Sequence, residues 1–175
     1  HETSGVHMKK ANLELIQARY EAVNAHDFER FQSFYADRVV WRDPGIARPV
    51  KGPRAVRKRL ETWTAAVPNL RWQLDELFGE GDRLCAQFTF AGTHKGALSD
   101  GRGNEFAPTN RAVRLQGVGV YTVTDGKIAG ISGILGRSFR PASGDLGWRL
   151  AFLIGLPIGS WLMACDLWLT AHGLR

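Results

Sequence analysis

Between residues 70 and 123, on either side of a polar glycine-rich stretch, the chain alternates apolar and polar side chains with a period of two, and turn signals cut this alternation into long segments. Leu70, Trp72, Leu74 and Glu76 alternate with Arg71, Gln73 and Asp75. Gly79-Glu80-Gly81-Asp82 is a hairpin signal. Beyond it Leu84, Ala86, Phe88, Phe90, Gly92 and His94 share one face. Arg111 to Val123 reads as a further strand, Thr124-Asp125-Gly126 as a tight turn, and Lys127 to Leu135 as the last strand. A two-residue period puts each set on one side of a pleated strand, so this half of the chain is a hairpin-linked sheet with one apolar face.

The first half has a different rhythm. Leu13, Ile16, Tyr20 and Val23 recur at helical spacing within a helix predicted over Lys9 to Asn24. Asp27 is a fitting N-cap for a second helix, Phe28 to Ala36, with Phe28, Phe31, Phe34 and Tyr35 as its apolar residues. Val39-Val40-Trp41 starts a strand that Asp43-Pro44-Gly45 ends by turn chemistry. Gly52-Pro53 opens a third helix that runs to about Val67, with proline in its first turn. Helices first and hairpin-linked strands after them make an α+β fold with a mixed, mostly antiparallel sheet. Gly96 to Asn110 is polar and glycine-rich, and is expected to be a mobile lid over any pocket below it.

At 175 residues and 44% hydrophobic content the chain can build one domain with a real core. HETSGVH ahead of Met8 reads as a cloning remnant, so residues 1–8 are set apart; the domain is expected over 9–138 and an apolar extension over 139–175. Nothing from Met8 onward reads as a signal peptide. Cys85 and Cys165 sit in apolar surroundings without CxxC spacing and are expected to be buried, reduced thiols of a cytoplasmic protein. The net charge of +6 does not come from one basic run. Arg54, Arg57, Lys58 and Arg59 cluster on one helix with Glu61 behind them, which reads as a solvated face and not as a nucleic-acid surface. An acidic carrier protein is the alternative partner. Leu150 to Cys165 holds no charged residue, yet its sixteen residues fall short of the roughly 20 that span a bilayer. The expectation is a kinked helical cover for the pocket mouth or a dimer partner, or a peripheral membrane contact.

Tyr20 to Phe34 (YEAVNAHDFERFQSF), Val39 to Gly45 (VVWRDPG), Gly81 to Gly96 (GDRLCAQFTFAGTHKG) and Tyr121 to Ile128 (YTVTDGKI) resemble, in this order and spacing, the SnoaL-like polyketide cyclases of the NTF2-like group. The resemblance implies a cone in which a curved sheet wraps around the N-terminal helices and encloses an apolar pocket. It also implies a polyketide substrate, no cofactor, and a homodimer paired through the open sheet face. The family's aldol cyclases carry a general acid/base carboxylate on the last strands, after the D-G-K-I turn. Here Ala129 to Gly136 holds no Asp, Glu or His, and Ser132 is its only polar side chain.

Candidate catalytic residues are therefore sought elsewhere. Asp43 shares a face with Trp41, so an inward Trp41 puts this carboxylate at the pocket, where it could shuttle protons. His94 shares parity with Phe88 and Phe90 and could reach the mouth as a hydrogen-bond donor or base. Gln116 sits mid-strand on one face with Arg114, Val118 and Val120, and a buried amide there would orient a substrate. His26 reads as a turn residue and Arg114 as a sheet-surface residue. Tyr20, Trp41, Trp63, Trp72, Phe88, Phe90 and Ser132 are the candidate substrate contacts. No ligand-spaced cluster of Cys, His, Asp or Glu suggests a metal, and no glycine-rich loop ahead of a helix suggests a nucleotide.

These residues favour a cofactor-free cyclase of polyketide biosynthesis that closes a ring in a mostly apolar polyketide, free or carrier-bound. With the strand acid missing, ring closure by chain folding, such as a [4+2] cycloaddition helped by a hydrogen bond from Gln116 or His94, is the leading expectation. Aldol or epoxide-opening closure through Asp43 and His94 is the alternative. A non-catalytic module that binds an apolar ligand is the reading from a different class.

Overall fold

The computed structural model describes residues 2–43, 48–99 and 105–136. The extension over 139–175, Cys165 and the Pro44-Gly45 turn lie outside the described residues. Three helices come first: α1 (Glu2–Ala25), α2 (Phe28–Ser33) and α3 (Pro53–Ala66), with strands β1 (Tyr35–Arg42) and β2 (Val50–Lys51) between the last two. Residues 2–8, set apart in the sequence, continue the first helix. Then come β3 (Arg71–Glu80), β4 (Arg83–Thr93), β5 (Leu98–Ser99), β6 (Glu105–Phe106), β7 (Ala112–Thr124) and β8 (Lys127–Gly136).

Six strands form one open sheet in the order β2-β1-β8-β7-β4-β3. Only the β1–β8 pair is parallel among them; the remaining pairs are antiparallel. This is the mixed, mostly antiparallel sheet that the alternation predicts. The hairpin turns explain the antiparallel run. Asp125 (φ 50°) and Gly126 (φ 68°) are both left-handed, as in the two-residue turns whose twist matches that of paired strands. The core lies between sheet and helices. Ile16, Tyr20 and Val23 of α1, with Val56 and Leu60 of α3, are buried against Phe88, Phe90, Leu115, Tyr121, Ile128 and Ile131 of the sheet. No helix among the described residues is long and apolar enough to cross a membrane.

Tertiary pairing corrects three local expectations. The second helix stops at Ser33, and Tyr35 already belongs to β1. There the backbone N–H of Ile128 donates to the Phe34 carbonyl at 2.9 Å, and Tyr35 pairs with Ile128. A strand partner from far along the chain thus outcompetes the helical period of Phe28, Phe31, Phe34 and Tyr35. In β3 the register shifts between Leu74 and Glu76. The shift turns Glu76 out to solvent and brings Leu77 onto the core, so the single face read from Leu70 to Glu76 breaks at the bulge.

The segment after β4 is the third. It leaves as a ribbon, β5 paired with β6, and not as a structureless loop. The N–H groups of Lys95 and Gly96 both donate to the Ala66 carbonyl, at 2.9 and 3.0 Å, and Leu98 is buried in the core. Ribbon and strand ends are tied by Asn110 N–H to His94 O (2.8 Å) and His94 N–H to Arg111 O (3.0 Å). None of its described residues lines the pocket.

Candidate functional site

A pocket sits where α1 and α3 face the inner side of the sheet. Trp41 and Asp43 reach it from β1 and the residue after it, Trp63 and Arg59 from α3, and Arg19 from α1. Phe88, Phe90 and Trp72 close one wall. Trp72 lies 4.7 Å from Phe88 and 5.5 Å from Phe90 between ring centroids, and Trp63 meets Phe90 edge-on at 5.3 Å. The edge-to-face contacts of Phe90 with Trp63 and Trp72 are a favourable geometry for aromatic pairs.

Asn24 holds this wall in place. Its side chain donates to the Trp72 carbonyl (2.8 Å) and accepts the Trp72 N–H (2.8 Å), taking the place of a missing neighbour strand for edge strand β3.

The polar part of the pocket consists mainly of cations and N–H donors. The Asp43 carboxylate pairs with Arg59 at 3.5 Å, with the side chains only 6% and 18% exposed. Burial pulls the Arg59 guanidinium below its ordinary value, and Asp43 works against that pull. The same guanidinium stands 5.0 Å over the Trp41 ring. Arg19 is 3% exposed and donates from Nε to the Tyr35 hydroxyl at 2.8 Å. Its guanidinium carbon lies 4.9 Å from the Tyr20 ring centre, 5.3 Å from Phe31 and 5.4 Å from Tyr121. Among the described residues, four buried N–H donors of pocket-lining side chains have no hydrogen-bond partner: Arg19 Nη1, Arg59 Nε, Trp41 Nε1 and Trp72 Nε1. Indole and guanidinium nitrogens only donate, so the complementary ligand carries oxygen acceptors on an otherwise apolar frame.

The structure brings Asp43, Trp41, Trp63, Trp72, Phe88 and Phe90 together at this pocket. Tyr20 stands one layer behind the wall; its ring lies against Trp72 and Phe88, and its hydroxyl meets that of Tyr121 at 3.1 Å. His94 is buried outside the pocket, with Nδ1 3.2 Å from the Thr109 hydroxyl, because β4 ends at Thr93 and the chain turns onto the end of α3. Gln116 and Ser132 are exposed and do not line the pocket. Parity explains both. The inward residues of β7 are Val113, Leu115, Gly117, Gly119, Tyr121 and Val123, and the two glycines hide that face from a count of apolar side chains. On β8 it is Ile131 and Gly133 that face the pocket, and Ser132 between them points away. Arg114 is exposed, and His26 (φ 55°) occupies the turn between α1 and α2.

Two pocket cations are not anticipated from the sequence. Arg59, expected on a solvated helix face, instead turns inward against Asp43 and Trp41. Arg19 is the other. Its signal is there: it stands three residues after Ile16 and four before Val23, inside the apolar stripe of the first helix. Among the described residues no group of His, Cys, Asp and Glu side chains could hold a metal ion.

The SnoaL-like domain model matches residues 16–131. Among solved structures, a protein assigned as a SnoaL-like polyketide cyclase from Jannaschia sp. CCS1 is 16% identical; the match covers 86% of this chain and 95% of that one, with a TM-score of 0.66. AclR of Streptomyces galilaeus, a hydroxylase candidate, is 21% identical over 85% of this chain and 99% of its own, with a TM-score of 0.65. A SnoaL-like polyketide cyclase of Agrobacterium tumefaciens strain C58 is 25% identical over 70% of this chain and 89% of its own, with a TM-score of 0.58. No curated protein matches the sequence.

Proposed function

Because the chain belongs to the SnoaL-like domain family, we propose that it is a cofactor-independent cyclase, closing a ring in an apolar, oxygen-bearing chain of the polyketide type. One observation carries this reading: a nearly buried carboxylate, Asp43, stands in an aromatic pocket beside buried N–H donors that lack partners. Asp43 is the base. It removes a proton from the carbon next to a substrate carbonyl, and the electron pair moves onto that oxygen as an enolate. N–H donors such as Trp41 Nε1 and Arg59 Nε stabilise the developing charge. The enolate carbon attacks a second carbonyl and forms the new C–C bond. The resulting alkoxide takes the proton back from the Asp43 carboxyl, so no external acid, base or redox partner is consumed. The pocket wall holds the two reacting carbons together.

A second reading has its own support. The inward positions of the last strand are Ile131 and Gly133, so the pocket lacks an acid there and is walled mainly by rings. That arrangement suits a pericyclic closure governed by shape.

The test is turnover of a linear polyketide precursor by the purified protein. Under the acid/base reading Asp43→Asn loses about 10²- to 10⁴-fold in kcat, roughly 3–5 kcal/mol of barrier. The rate also falls on the acid side as a carboxylate takes up its proton. A flat profile between roughly pH 6 and 8, with Trp72→Ala losing more than Asp43→Asn, selects the shape-driven closure instead. Binding without conversion defeats both.

A further inference from the structure

The charge on Arg19 is left over by the reading above. Arg19 is 3% exposed, it lines the pocket, and its Nη1 has no hydrogen-bond partner among the described residues. Among the described residues no carboxylate forms an ion pair with it. Its surroundings are one hydroxyl, Tyr35, and the faces of Tyr20, Phe31, Trp72 and Tyr121. Rings and a neutral hydroxyl ease a buried cation but do not neutralise it. An isolated buried charge is costly, and guanidinium cannot escape by giving up its proton. Arg59, the other buried guanidinium of the pocket, differs in having Asp43 beside it.

We infer that Arg19 is an anion-recognition residue, and that the pocket takes an apolar ligand bearing a free carboxylate, which docks on the Arg19 guanidinium. The carboxylate supplies both missing elements, the compensating charge and the acceptor. Its apolar frame then lies against Trp72 and Phe88. A substrate held in this way enters as the free acid; esterification to a carrier thiol would remove the charge that Arg19 reads. The inference concerns binding alone and stands whether or not Asp43 closes a ring.

The test is calorimetric titration of the full chain with matched pairs: 2-naphthoate, cinnamate and decanoate, each against its methyl ester. At least one acid is expected to bind roughly 10- to 100-fold more tightly than its ester, the range of a charge-assisted hydrogen bond. Arg19→Met should abolish that preference without lowering the melting temperature, because it removes an uncompensated charge from the interior. Arg19→Lys should keep part of it. A purely structural arginine would show the reverse, a loss of stability with no change in the acid-to-ester ratio. Equal binding of acid and ester in every pair, no binding of any acid, or loss of the preference in Arg59→Met but not in Arg19→Met overturns the inference. The wild-type pairs decide the matter even if a variant does not fold. Turnover is not read, so this result and the Asp43→Asn result fail independently.

Discussion

Tyr35 and Tyr20 show what burial does to single groups beside Arg19. Burial pushes the Tyr35 phenol up to about 12, with the Arg19 charge working in the opposite direction. Burial likewise drives Tyr20 well above the usual phenol range, with Tyr121 adding to it. The sign of the linked stability follows. The unfolded chain gives up these protons near pH 10, while the folded protein keeps them. Stability from Tyr35 is therefore complete below about pH 10 and is lost as the pH rises toward 12, at about 1.4 kcal/mol per pH unit per tyrosine. In an alkaline titration, tyrosinate absorbance from Tyr20 and Tyr35 should appear together with the loss of circular dichroism. Early ionisation of both phenols in a protein that keeps its spectrum would contradict the burial argument. Gly119 belongs to the same scale. A Cβ there would come within 3.0 Å of the Tyr121 ring, so Gly119→Ala should narrow the pocket and weaken ligand binding more than it lowers stability.

At the scale of elements, two backbone docks hold the pocket open between helices and sheet. One is the Asn24 clamp on Trp72, reinforced by Arg71 donating to the Asn24 carbonyl at 2.7 Å. Asn24→Ala removes both side-chain bonds and leaves the Trp72 N–H and carbonyl on the outer edge of β3 without them, at a cost of about 1–3 kcal/mol. Asn24→Asp keeps the acceptor, loses the donor, and should fall between wild type and alanine in a urea titration. The other dock is the exit of β4 onto α3. The site where a Cβ of residue 96 would stand is taken up by the Ala65 carbonyl. Gly96→Ala must then push the ribbon off the end of α3 and should cost about 1–3 kcal/mol. A melting temperature equal to wild type would mean that the ribbon is not held there. The same alternation that makes β7 legible also misassigned its face. Val118 and Val120 are half-buried on the outer side, while inward Gly117 and Gly119 contribute no side chain to count.

For the whole molecule, the open sheet poses the question of what covers its outer face. Phe78, Val118 and Val120 are half-buried there, beside the Thr89 hydroxyl that donates to Asp75 at 2.7 Å. An exposed apolar sheet face is a frequent site of association. We expect a homodimer paired through it, with light scattering at micromolar concentration giving twice the chain mass. A monomer under those conditions, still a monomer after Val120→Asp, would remove the dimer from consideration.

Patterns that depend only on neighbours along the chain were determined by the sequence alone. Period-two alternation and two hairpin turns define β3, β4, β7 and β8, and Pro53 marks the start of α3. The ordered motifs point to the family, and the stretch after Lys127 shows that no acid stands on the last strand. Tertiary structure decided what depends on distant partners. Pairing with Ile128 turned Tyr35 from helix to strand, and the bulge in β3 exchanged Glu76 for Leu77. The identity of the inward face set Gln116 and Ser132 outside the pocket, and the end of β4 took His94 away from it. Arg19 joined Asp43 and Arg59 in one cavity although they come from α1, the residue after β1, and α3. Local pattern fixes which side chains share a face. Which face meets the core, and which charges are left there without a partner, are set by the packing of elements far apart in the chain.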